Sequence, residues 1–446
     1  MNPLIVEGFA VILVPVIAGV LSMKEYRITS VAASAIEVLI SVIIFLSGTS
    51  SGIFYINSVS KVFILMVASV YLLSTLYSME YLEKDTWLRH SYYFLLFNFF
   101  TASMMFALTI NNYGLMWVGI EATTISSAIL IMTEKTEVST EATWRYILIV
   151  SAGVTFAFIS IILIYYSFGT LDVSTILSHS YASSFILRLI VSISLVGFGT
   201  KVGIFPVHTW LPDAHSESPA PVSAMFSGVL LPTALYVVYT IYRIDEFSDL
   251  YIWAGTVSVV FASIFLGSQR KYKRMFAYST MENMSIALIG FATGTAVGIT
   301  GALLLLVAHS FGKASAFYSS GNVLKSYGEK DIDRISGVVR TMPVTGSSLL
   351  LSSLAVTGTP PFGTFFGEFM VLYAVYSGGY IIEFILLAIF IPLAFISVNY
   401  NVTRMAFGHD SEKREGNRRM PYIALAPAII SLAIGIGFLV VTYALV

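Results

Sequence analysis

Five ionisable side chains stand inside long apolar stretches of this sequence: Glu121, Lys201, His309, Lys313 and Glu368. Each can hold or release a proton. A lysine's preference is set by two opposed effects: desolvation disfavours its charge, and a nearby carboxylate favours it. Moving that carboxylate toward or away therefore switches the amine between holding and releasing a proton. His309 suits hand-over, because imidazole titrates near neutrality, and it shares a helix face with Lys313 four residues on. Glu121 follows Asn112 by nine residues, which is about 13 Å along a helix at ~1.5 Å per residue. Glu282, His208, Asp213 and His215 are secondary candidates. Glu282 is expected near one end of its helix. The other three, in His208-Thr-Trp-Leu-Pro-Asp-Ala-His-Ser-Glu217, read equally well as a proton mouth or as capping and turn residues.

A charge at mid-membrane depth costs at least ~2.5–3.5 kcal/mol. Several together exceed the ~5–15 kcal/mol stability of an ordinary domain unless they pair or meet water. One connected, hydrated core is therefore expected, with static ion pairs as the alternative. Glu37 has no nameable partner and reads as protonated and structural. Glu7 and Glu383 read as interfacial or solvated, and the run from Arg270 to Arg274 as a solvated, lipid-facing topology signal.

The elements that must position these groups are helices in a bilayer. Of 446 residues, 57% are hydrophobic and 11% charged, against about a quarter charged in soluble chains. The fold class is all-α, a polytopic membrane protein with spans expected at roughly 3–21, 28–47, 60–79, 91–110, 113–132, 144–168, 185–208, 218–242, 250–267, 275–293, 296–324, 343–377, 380–403 and 421–445. A single integral membrane domain, 1–446, is expected, divided at 1–85, 86–245, 246–405 and 406–446. The strongly basic loops (Lys24 and Arg27; Lys84 and Arg89; Lys135 and Arg145; Arg270 to Arg274; Lys325 to Arg340; Arg404 to Arg419) all follow odd-numbered spans. The positive-inside rule then places them in the cytoplasm and both termini outside, in a prokaryotic inner membrane. The N-terminal apolar run lacks a basic leader and a clear cleavage site and reads as a retained helix.

Other chemistry is excluded by composition. There is no cysteine, hence no thiolate iron–sulfur or zinc site and no disulfide. The six histidines (His90, His179, His208, His215, His309, His409) show no metal-binding spacing. No nucleotide-binding glycine motif is present. No cofactor, metal or nucleic-acid partner is expected, and no redox site of its own.

Two spans are interrupted: the seventh at Gly199-Thr-Lys-Val-Gly-Ile-Phe-Pro206, the twelfth at Gly358-Thr-Pro-Pro-Phe-Gly363. Unwound backbone within a membrane survives only inside protein or beside water. The breaks lie five spans apart, so spans four to eight and nine to thirteen form two halves of odd number, and hence inverted. Paired breaks in inverted halves point to a transport site; the bland alternative is two Pro-kinked packing helices.

The stretch Lys201-Val-Gly-Ile-Phe-Pro-Val-His-Thr-Trp-Leu-Pro-Asp-Ala-His-Ser-Glu-Ser-Pro resembles the antiporter-like subunits of respiratory complex I (M and N types), of energy-converting membrane hydrogenases and of multisubunit Na+/H+ antiporters. Trp117-Val-Gly-Ile-Glu121, Arg274-Met-Phe-Ala-Tyr-Ser-Thr-Met-Glu282, His309-Ser-Phe-Gly-Lys313, Asp331-Ile-Asp-Arg-Ile-Ser-Gly and Gly358-Thr-Pro-Pro-Phe-Gly-Thr-Phe-Phe-Gly-Glu368 add to it, over about residues 60–400. The resemblance implies a proton-translocating subunit of a redox-driven complex, working beside other membrane subunits, with Na+/H+ antiport or stand-alone transport as alternatives. It further implies that Glu121 and Lys201 form an ion pair, that His309 and Lys313 are the connection on span eleven, and that Glu368 is the terminal acid. The Thr-Met-Glu-Asn stretch leans toward the hydrogenase type. Three features depart from the pattern. Pro232 stands where M-type subunits place a bridging lysine, Asn283 replaces a histidine, and no lateral helix follows the fourteenth span.

Overall fold

A computed structural model describes residues 3–82, 86–408, 414–416 and 419–445. Lys84, His409, Lys413 and Arg418 lie outside the described residues. Helix α1 (Pro3–Leu46) holds the first two spans, joined at Glu25, where the backbone leaves the helical region (φ −143°, ψ 80°). A short β1–β2 hairpin (Ser50–Ser51, Tyr55–Ile56) leads to α2 (Ser58–Tyr81), α3 (His90–Thr109), α4 (Tyr113–Ile131), α5 (Glu137–Phe168) and a short α6 (Val173–Leu177). The seventh span is α7 (Phe185–Val202) and α8 (Trp210–Glu217). The eighth is α9 (Ala220–Met225), a π-helical turn Phe226–Leu230 and α10 (Leu231–Tyr242). Then come α11 (Ser248–Gly267), α12 (Tyr272–Ala292), α13 (Ala296–Tyr327), the one-turn α14 (Val338–Thr341), α15 (Pro343–Val356), α16 (Gly363–Ser377), α17 (Ile381–Ala406) and α18 (Met420–Leu445).

Eleven of these helices are long and apolar enough to cross a membrane unaided. Counting α1 twice, and adding the polar α12 and the broken pair α15–α16, gives fourteen crossings. The additions are informative: α12 falls short because it carries Glu282, Asn283 and several hydroxyls, and α15–α16 because the chain unwinds between them.

The fourteen-fold alternation sorts the loops onto two faces, and side-chain contacts tie each face together. On the basic face Arg145 and Arg274 both pair with Asp213, Lys330 with Glu217 (2.8 Å), Arg404 with Asp333 (2.6 Å) and Arg419 with Glu80 (3.4 Å). On the opposite face Asn111 donates to Asp172 (2.9 Å) and to the Gly52 carbonyl (2.7 Å), and Ser183 donates to Asp245 (3.1 Å). Asp172 caps α6 by accepting from the Thr175 N–H (2.7 Å). Burial pushes the Asp172 carboxyl up, but the hydrogen bonds from Thr175 and Ser174 outweigh it and hold it below the usual range.

Spans four to eight pack as spans nine to thirteen do. α3 lies on α4 as α11 lies on α12, α4 on α5 as α12 on α13, α5 on α7 and α8 as α13 on α15 and α16, and α7 on α10 as α15 on α17. Large apolar side chains such as Leu39, Ile125, Leu148, Ile382 and Val440 point outward and exposed. They form an apolar outer belt, and the chain is a multi-pass membrane protein.

Several expectations shift in the structure. The sixth span begins at Glu137, seven residues before 144. There Thr136 and Ser139 each accept the other's backbone N–H, a capping box that fixes the start. The seventh helix stops at Val202, not 208, because Gly203 turns left-handed (φ 84°). Because α12 starts at Tyr272, Glu282 sits ten residues in, about 15 Å from the helix start, at mid-length rather than near an end. Glu383, in the first turn of α17, lies at the end of its span as expected but is buried rather than solvated. The Arg270-to-Arg274 run is not uniformly solvated: Lys273 is buried and donates to the Ser218 carbonyl at 2.7 Å, and Arg274 grips Asp213.

Candidate functional site

Lys201 stands on the last turn of α7, fully buried. Its Nζ donates to the Thr124 hydroxyl on α4 (2.8 Å) and the Tyr146 hydroxyl on α5 (2.7 Å), and Tyr146 shares a further hydrogen bond with Ser127 (2.8 Å). Glu121, one turn before Thr124, accepts from Ser151 at 2.8 Å, and its second oxygen is buried without a partner. Glu121 lies within electrostatic reach of Lys201, yet among the described residues the two do not touch. The expected ion pair is resolved into an ammonium held by neutral hydroxyls and a carboxylate a step away. Hydroxyls can solvate the lysine in either protonation state, while Ser151 holds the carboxylate.

The second half repeats this design. Lys313 on α13 is fully buried and donates to the Phe276 carbonyl of α12 at 2.7 Å. Glu282, six residues along α12, lies within electrostatic reach of both Lys313 and Glu368. His309, one turn before Lys313, is fully buried, with the Ser227 backbone in reach of its ring. Glu368 lies on α16, just after the break that separates it from α15, and its carboxylate reaches back to the unwound segment. A Cβ at Gly358 (φ 63°) would come within 2.0 Å of its carboxylate, so the glycine makes the acid's seat. Asn283 donates to the Val356 carbonyl (3.1 Å) at the end of α15, and Asn399 to Thr357 (2.9 Å), tying the break to α12 and α17.

Between the halves stands the span that carries Pro232. Proline removes a backbone donor, and the chain takes a π-helical turn just before it. The Ser310 hydroxyl donates to the Gly228 carbonyl (2.5 Å), and Ser227 shares a hydrogen bond with Thr280 (2.6 Å), which donates to the Phe276 carbonyl (3.0 Å), the acceptor of Lys313. Hydroxyls thus reach from Lys313 to this span. On the other side sits His215, fully buried, with both nitrogens free of partners. Its ring stacks on Phe317 (4.9 Å) and meets Phe226 edge-on (5.9 Å). Phe226 in turn stacks on Tyr146, the partner of Lys201, and Phe317 packs against Phe276.

The other two secondary candidates part company with His215. His208 is held in an aromatic box of Phe205, Phe265 and Tyr278. Asp213 faces the basic surface between two arginines, at a cavity of about 160 Å³ shared with Glu141 and Lys271. Sequence reasoning missed Tyr146, Thr124 and Lys273. Tyrosine and threonine are ordinary in spans, and Lys273 was hidden within a basic run.

These features define a class: a polytopic subunit with two inverted halves, each with a broken helix and a buried lysine, an antiporter-like proton-translocating membrane subunit. The chain belongs to the family described as NADH:quinone oxidoreductase/Mrp antiporter, transmembrane, whose model matches residues 110–397. It is 32% identical over 397 residues to a hydrogenase-4 component F homolog of Methylacidiphilum infernorum, covering 82% of this chain and 83% of that protein. It is 26% identical over 461 residues to a subunit of the Na(+)/H(+) antiporter of Bacillus subtilis, covering 96% of this chain and 92% of that one. It shares its fold with a chain of the membrane-bound sulfane sulfur reductase, an archaeal respiratory membrane complex, at a TM-score of 0.88 and 22% identity over 96% of this chain and 94% of that one.

Proposed function

We propose that the chain conducts protons along a file from Lys201, with Glu121 as its switch, through His215 to Lys313 and His309, and on by Glu282 to Glu368. One observation carries this reading: Lys201 and Lys313 are fully buried, and their hydrogen bonds go only to neutral oxygens. A structural ion pair would place a carboxylate in contact, because an unpaired buried charge is strongly destabilising. Here each carboxylate stands off, where its approach raises and its retreat lowers the lysine's hold on a proton. In this reading His215, within electrostatic reach of Lys313, takes the bridging role of the lysine that Pro232 replaces, and the Ser227–Thr280 hydroxyl pair supports the same passage.

In this reading the basic face is cytoplasmic, the termini lie outside, the membrane is a prokaryotic inner membrane, and Asp213 lines the cytoplasmic mouth. Residues 86–245 and 246–405 are the two transporting halves. The driving force comes from a redox module bound beside other membrane subunits, as the likeness to a hydrogenase component favours. The likeness to a sodium/proton antiporter component supports a second reading, antiport without a redox partner. Purification of the intact assembly from native membranes tests between them. Redox subunits that co-purify, with sodium-independent proton flux lost in Lys201→Ala and Lys313→Ala, are expected. Sodium-dependent flux with no redox partner favours the second reading, and unchanged flux in both variants rejects the file.

A further inference from the structure

Glu37 takes no part in that file. It lies mid-way along the second span, fully buried, and neither carboxylate oxygen has a hydrogen-bond partner. Its helix places Ser30, Ser34 and Ser41 on the same face, by spacings of four, three and four residues, and all three are fully buried. Neighbouring helices extend this polar stripe. Asn98 of α3 donates to Ser30 (3.1 Å), and Tyr71 of α2 donates to Asn98. Tyr71 is the titratable group that faces Glu37. Toward the basic face the stripe continues to Tyr26, whose hydroxyl lies 3.3 Å from Nδ1 of His90. Toward the other face it stops: three residues past Ser41 the same side of the helix is Ile44, apolar and fully buried.

An ionised carboxylate sealed from water with no cation is among the costliest groups a protein can bury. No positive side chain among the described residues lies within electrostatic reach of Glu37. Something must therefore neutralise it. A metal cation would need several ligands converging on the carboxylate, and among the described residues no group of three or more His, Cys, Asp or Glu that could hold one is present. The Ser34 hydroxyl donates to the Val31 carbonyl (2.9 Å), and that of Tyr71 to Asn98. A proton needs one acceptor only, and the Ser41 hydroxyl oxygen, one turn on, is also without a partner.

We propose that Glu37 is a second proton-binding site, separate from the lysine file, which exchanges its proton with the basic face along the Tyr26–Ser30–Ser34 stripe. The ladder gives it one open end, so it loads and unloads from one side only. It stores a proton and does not conduct.

Infrared difference spectroscopy on the full chain reconstituted in lipid tests this. The spectrum of wild type minus Glu37→Gln at neutral pH is expected to show the loss of one un-ionised carboxyl band. Glu37→Asp is expected to shift that band and keep it, which guards against a Gln variant that misfolds. Ser34→Ala, which removes the hydroxyl between Ser30 and Glu37 on the stripe, is expected to slow the band's shift in heavy water without removing it. Loss of an ionised carboxylate signal instead overturns the protonated site. Disappearance of the wild-type band on adding sodium at constant pH overturns it in favour of a cation site. Unchanged exchange in Ser34→Ala overturns the route.

Discussion

Gly358→Ala is the substitution that bears most directly on the file. Two costs follow from the geometry. Gly358 has φ 63°, and a side chain in that left-handed region costs about 1–2 kcal/mol. The new Cβ would also lie 2.0 Å from Glu368 Oε2, where real Cβ contacts essentially never fall below 3.0 Å. The carboxylate must therefore retreat by about 1 Å, and a misplacement of about 1 Å at a reacting group can cost about a hundredfold in rate. Gly203→Ala is the matched control. Gly203 has φ 84° in the other break, so the backbone strain is similar, but its Cβ would meet only Leu211 (3.0 Å) and Leu231 (3.7 Å). Both variants are expected to lose similar thermal stability in detergent. Proton flux in vesicles holding the whole assembly is expected to fall about a hundredfold in Gly358→Ala and far less in Gly203→Ala. Equal flux losses, or full flux in Gly358→Ala, refute the assignment of Glu368 to the file.

Three further outcomes are expected. Tyr146→Phe removes one of the two hydroxyls on Lys201; a hydrogen bond to a charged group is worth ~1.5–3 kcal/mol, so flux is expected to fall about ten- to a hundredfold while the helical circular dichroism spectrum is kept. His215→Leu, close in shape to the buried imidazole, is expected to preserve folding and abolish coupling between the halves, read as flux through the assembly; retained flux shows that the Ser227–Thr280 hydroxyls suffice alone. Asp172→Ala is expected to cost ~1 kcal/mol as a lost helix cap, measured by thermal unfolding. Because the folded state holds Asp172 below its ordinary value, this contribution is fully present above the ordinary carboxylate range and is lost as pH falls through the lowered folded value. The wild-type and variant stabilities therefore converge in acid and separate toward neutrality.

Helix number and alternation were legible in the sequence because lipid imposes one-dimensional rules: an apolar run of fixed length, charges confined to loops, and positive residues biased to one side. The two breaks were legible because glycine and proline act on their own backbone. The placement of Glu121, Lys201, His309, Lys313 and Glu368 within spans was legible too, because position along an apolar run sets depth. What only the tertiary structure decided is who touches whom. Tyr146 and Thr124 hold Lys201 across three helices, and no spacing within one helix encodes that. His208 and His215 sit seven residues apart in one motif, yet one lies in an aromatic box and the other stacks on Phe317 within electrostatic reach of Lys313. Lys273 and Arg274 are adjacent and basic, and one is buried while the other grips Asp213. Depth in the membrane is a property of sequence position; direction around a helix, and the neighbour it meets there, is fixed only when the spans pack.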